Sequence, residues 1–146
     1  MKSIIPSLAV ADIDASIRFY TDVLGFSTQM TMPGPDGVTG HASLGRGEAS
    51  VMFGRIDPAS EHDRAPRGRG LWLYATVAED EDIDALFAHA KAAGAEVTQE
   101  PTDEFWGMRD WGIVDPDGYG WMISKEIAKP SEAEMREAML AGSPAD

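Results

Sequence analysis

Residues 3–10 alternate loosely between polar and apolar positions and carry Ile4, Ile5, Leu8 and Val10, the pattern of a strand. Asp12 then stands where a helix N-cap belongs. Ile13, Ile17, Tyr20 and Leu24 recur at helical spacing, and Gly25 is placed to end that helix in a left-handed turn. Three strand-like runs follow, FSTQMTM, VTGHASL and EASVMFG, punctuated by the turn sequences PGPDG and GRG. The next stretch, RIDPASEHDRAPRGRG, is polar, rich in Pro, Gly and Arg, and has no periodicity, so it reads as a loop or linker.

The same order then repeats. LWLYATV reads as a strand. Ile83, Leu86, Phe87 and Ala90 make one face of a helix that Gly94 closes, and AEVTQE, WGMRDWGIV and YGWMISKE are three more strands, the last two joined by a DPDG turn. The tetrapeptide DIDA opens both helices, at Asp12–Ala15 and Asp82–Ala85, and agreement of the element order around it marks a duplicated unit. The expected organisation is a first βαβββ module at 1–54, a linker at 55–69, a second module at 70–128, and a C-terminal helix and tail at 129–146, all in one structural domain. In the tail, Ser131 and Glu134 have capping-box spacing, and Met135, Met139 and Leu140 form a narrow apolar stripe. That helix could pack on its own sheet or serve as a lid or dimer contact.

Composition narrows the function classes. A formal net charge of −13 argues against nucleic acid and anionic membrane as partners; it reads first as a solvated acidic surface, and any field it exerts favours cationic ligands. The chain contains no cysteine, which removes disulfides, thiolate metal sites and cysteine nucleophiles. No apolar run approaches a membrane span and the start lacks a signal-peptide pattern, so a cytoplasmic location is expected. Phosphate-cradling and nucleophile-elbow motifs are absent. DPDGYGWMISKE nearly fits a calcium loop, but Tyr119 occupies a ligand position and the following residues read as strand, so a hairpin turn is expected instead.

Two segments, LAVADIDASIRFYTDVLGF and WGMRDWGIVDPDGYGW, set in tandem βαβββ modules, resemble the vicinal oxygen chelate superfamily, its bleomycin-resistance-like branch in particular. That superfamily includes glyoxalase I, extradiol dioxygenases, fosfomycin-resistance enzymes and bleomycin-resistance proteins. The resemblance implies an α+β fold in which two curled mixed sheets surround a cleft with their helices outside, and it implies a homodimer. Metal-using members draw ligands from four cleft-facing strand positions, which by spacing fall here on Ile5, Met52, Trp72 and Met122. None offers the imidazole or carboxylate such ions require. Same-face neighbours two residues away (Ser3, Ser7, Ser50, Gly54, Gly70, Tyr74, Gly120 and Ser124) do not supply one either. Of the three histidines, His89 lies on the second helix, His62 in the linker, and only His41 is on a strand that could face the cleft.

The expected site is therefore a ligand surface built from Ile5, His41, Met52, Trp72, Tyr74, Trp106, Arg109, Trp111 and Met122, with no metal, cofactor or catalytic residue. Met and aromatic side chains make adaptable, polarizable surfaces for planar ligands, and Trp faces can hold cations. Trp106 and Trp111 have opposite strand parity, so only one should face inward. Arg109 could anchor a ligand carboxylate or phosphate, or pair with a surface acid. The leading function is small-molecule binding in a dimeric cleft. A metal-dependent lyase, isomerase or dioxygenase, and an interaction domain with a filled cleft, remain as alternatives.

Overall fold

The computed structural model describes residues 2–142. Strands β1 (Ser7–Val10), β2 (Ser27–Pro33), β3 (Thr39–Arg46) and β4 (Ala49–Arg55) form one sheet in the order β1-β4-β3-β2. Strands β5 (Trp72–Thr76), β6 (Glu96–Asp103), β7 (Met108–Val114) and β8 (Gly120–Glu126) form a second in the order β5-β8-β7-β6. The β1–β4 and β5–β8 pairs are parallel and the rest antiparallel, so both sheets are mixed. Helices α1 (Ile13–Asp22) and α3 (Ile83–Ala92) follow the first strand of each sheet, and α4 (Glu132–Leu140) ends the described chain. The architecture is α+β, two βαβββ modules in tandem with a C-terminal helix. No helix among the described residues is long and apolar enough to cross a membrane.

The repeated DIDA works as two helix starts. The Asp12 carboxylate accepts from the Ala15 N–H at 2.9 Å, and Asp82 accepts from Asp84 and Ala85, both at 3.0 Å. Gly25 and Gly94, at φ +70 and +88, supply the left-handed residue just past each helix. Ser131 and Glu134 form the full capping box at α4.

Three details depart from the sequence pattern. The first strand begins at Ser7 rather than Ser3, because Pro6 has no N–H for the ladder and only its carbonyl takes part, accepting from Met52. Inside the linker, Glu61–Arg64 makes a single helical turn, α2, started by Ser60 and Asp57 bonding local N–H groups and too short to leave a periodic signal. Helix α4 buries none of its residues: Met139 and Leu140 of its apolar stripe are 69 % and 83 % exposed.

One core serves both modules. Tyr20 of α1 meets Phe53 of β4 and Trp121 of β8 edge-on, at 4.7 and 5.6 Å between ring centres. Its hydroxyl donates to Asp115 Oδ2 at 2.7 Å and accepts from Trp121 Nε1 at 3.0 Å. Tyr119 donates to the Ala9 carbonyl, Asp117 accepts from the Ala11 N–H, and His89 Nε2 lies 2.6 Å from the Asp22 carbonyl. The DPDG segment is a turn, with Asp115 Oδ1 accepting from the N–H groups of Asp117 and Tyr119. Burial raises the Asp115 carboxyl above its ordinary pKa, and burial beside Asp115 raises the Tyr20 phenol far above its own.

Candidate ligand-binding site

Strand alternation sorts the second sheet into two faces. Leu73, Ala75, Trp111, Ile113, Trp121 and Ile123 turn toward the shared core. Trp72, Tyr74, Asp110, Gly112, Gly120, Met122 and Ser124 alternate to the other side. On that open face Trp72 stands on the edge strand β5 beside Gly120 of β8. Its six-membered ring lies directly over the Gly120 backbone: a methyl group at Gly120 would stand 2.6 Å from Trp72 Cε3. A side chain other than hydrogen there would push the indole off the sheet. The indole is packed on one side and still 57 % exposed, which makes it a platform.

Trp72 and Tyr74 border a cavity of about 760 Å³ at the β5 edge, which is also lined by the segment Ile4–Leu8 and by Leu73, Ala75 and Trp121 from the core side. Ile5, 42 % exposed, is on that segment. Three of the expected residues, Ile5, Trp72 and Tyr74, are thus brought together. Met122 is the strand partner of Tyr74 and is half-buried beneath the same face. In the first sheet Met52 is half-buried opposite Ser7 and Ser43. His41 is set apart from the Trp72 cavity. It pairs with Met32 and Gly54 and lines a different hollow of about 630 Å³ with Arg55 and Asp57.

Three expected site residues lie elsewhere. Trp111 is 1 % exposed, with its Nε1 donating to the Ile83 carbonyl at 3.2 Å and its ring edge-on to Phe87 at 5.6 Å. It belongs to the core because its strand parity points it at α3. Arg109 reaches Asp84 at 2.9 Å and Asp103 at 2.5 Å, so its charge is spent away from the open face, and those hydrogen bonds raise its pKa further. Trp106 sits in the turn before β7, edge-on to Phe105 at 4.9 Å, and does not line the Trp72 cavity. The side chain of His62 lies outside the described residues.

Two further residues stand out on the open face. Asp110, 2 % exposed, accepts from the Ser124 hydroxyl in a short hydrogen bond, and from Tyr74 at 3.3 Å to Oδ1 and 3.2 Å to Oδ2. The sequence offered one signal for them: Asp110 has the parity opposite to Trp111, and Ser124 that of Met122. Of the four residues expected at metal positions, Met52, Trp72 and Met122 lie on strands and Ile5 lies before β1, and none of these side chains fits a hard or borderline divalent ion. Among the described residues no group of three His, Asp or Glu side chains is placed to hold one.

Two mixed sheets from tandem βαβββ modules, each with an open face, define a recognisable class. Residues 4–123 match the model of the Glyoxalase/Bleomycin resistance protein/Dioxygenase superfamily, and the chain belongs to that superfamily. A relative from Mycobacterium bovis, the uncharacterized protein Mb0911c, is 30 % identical over 139 residues, covering 92 % of this chain and 90 % of its own. The bleomycin resistance protein of Geobacillus stearothermophilus is 29 % identical over 126 residues, covering 80 % of this chain and 91 % of its own. Among solved structures, TioX from Micromonospora sp. ML1 superposes with a TM-score of 0.68 at 26 % identity, covering 86 % of this chain and 99 % of its own.

Proposed function

We propose that this protein is a metal-free small-molecule-binding member of its superfamily, acting in the cytoplasm. It holds an aromatic or cationic ligand against Trp72 without chemical conversion, in a cleft that a second copy of the chain completes. The observation that carries the reading is Trp72 itself. At a position where metal-using relatives place a donor stands an indole laid flat on a glycine and open on its other face. Its likeness to a bleomycin resistance protein supports the ligand-binding reading. The exposed apolar side chains Ile5, Trp72 and Tyr74, gathered around one cavity, support a covering partner.

Metal analysis of protein purified without chelator tests the metal-free part. We expect far less than one equivalent of any transition metal per chain. Near-stoichiometric nickel, zinc, iron or manganese, lost in the His41→Ala variant, would contradict it.

A further inference from the structure

We propose that Asp110 is the anchor for a protonated amine on the ligand, with Ser124 fixing the carboxylate and Tyr74 covering it until the amine arrives. The inference rests on the reading of Trp72 as a ligand platform and specifies what the far end of that ligand carries.

Asp110 is a buried acid, and among the described residues no cation is bonded to it. The nearest basic residues on its strand and on β8 are Arg109 and Lys125, and both alternate to the opposite face. There Arg109 is paired with Asp84 and Asp103, and Lys125 donates to the Glu81 carbonyl. Among the described residues Asp110 has two hydroxyl donors, although a carboxylate has room for about four hydrogen bonds. A buried acid with unused acceptor positions and no basic neighbour on its face offers a cation from outside a directional partner.

The two donors are unequal. Ser124 is fully buried and its bond to Asp110 is short, so it orients the carboxylate. Tyr74 is 53 % exposed and its hydroxyl straddles both oxygens at 3.2 and 3.3 Å, longer than a well-formed O–H···O bond. A ligand ammonium, a stronger donor, can take the place of that phenol. The pairing register also sets the ligand's shape. The Trp72 ring lies over Gly120 and Asp110 pairs with Ser124, so the platform and the anchor are one strand and four residues apart, roughly 14 Å across the sheet. The recognised molecule has a planar aromatic head and a flexible arm ending in an amine.

Dansylcadaverine has this form, and its N-acetyl derivative keeps the fluorophore and arm without the charge. Titrating both into the full-length protein, with dansyl fluorescence as the readout, tests the assignment. The wild type should bind the amine about tenfold more tightly than the acetylated probe. Asp110→Asn should erase that preference. Tyr74→Phe, which removes the competing phenol hydroxyl, should widen it severalfold. If both probes bind the wild type equally, or if the preference survives in a cooperatively folded Asp110→Asn variant, the anchor is refuted while the Trp72 platform stands. If neither probe binds, the platform reading fails and the anchor falls with it. Should Asp110→Asn not fold, an unchanged preference in Tyr74→Phe refutes the anchor by itself.

Discussion

A methyl group at Gly120 would stand 2.6 Å from the Trp72 ring, closer than packed carbons approach, so Gly120→Ala must tilt or expel the indole. We expect this single methyl to weaken binding of a planar ligand about tenfold or more, with a stability cost near 1 kcal/mol. Fluorescence titration beside a denaturant melt separates the two effects. Unchanged affinity would mean that Trp72 does not act as a flat platform. Legibility at this scale followed strand parity. The residues opposite Trp121 and Ile123 were assignable, and Trp72, Tyr74 and Met122 fell on the open face. Of the two roles open to Arg109, the structure shows the ion pair with surface acids, and the register turns Trp111 toward α3 and the core. Asp110 went unnoticed because a lone acid in an acidic chain gives no signal until its hydroxyl partners from other strands are in place.

Elements were more readable than residues, since each carried its own punctuation. Asp12 and Asp82 cap, Gly25 and Gly94 terminate, and the periods of the intervening segments separate helix from strand. Where the reading slipped, tertiary context or brevity was the cause. The apolar Ile4 and Ile5 look like strand, yet Pro6 keeps the ladder from extending to them and leaves them as a wall of the Trp72 cavity. Helix α2 is a single turn held by local side-chain bonds. The capping box of α4 was visible as a spacing, while the absence of any buried residue on that helix depends on where the chain leaves β8, which no local pattern encodes.

At the scale of the whole molecule, the two modules are joined through Tyr20, Asp115 and Trp121, and this junction makes stability depend on alkaline pH. The folded-state pKa of Tyr20 lies above its ordinary value of 10.0 because the phenol is buried and faces Asp115. The contribution to stability is therefore fully present below that value and is lost as pH rises past it. Wild-type stability should fall by up to about 1.4 kcal/mol per pH unit above pH 10 on account of this group. The Tyr20→Phe variant, less stable at neutral pH because Trp121 Nε1 and Asp115 lose a partner, should lack that part of the slope. Denaturant melts of both proteins across this range give the comparison, and equal slopes would show that Tyr20 ionises in the folded state. The central claim, that the face around Trp72 binds a small molecule, is tested most directly by thermal shift. Planar aromatic compounds, with and without basic arms, are screened against the wild type and the Trp72→Ala variant. A true ligand at a hundredfold excess over its Kd should raise the wild-type melting temperature by about 5–10 °C and leave the variant unmoved. Equal stabilisation of both proteins would contradict the account.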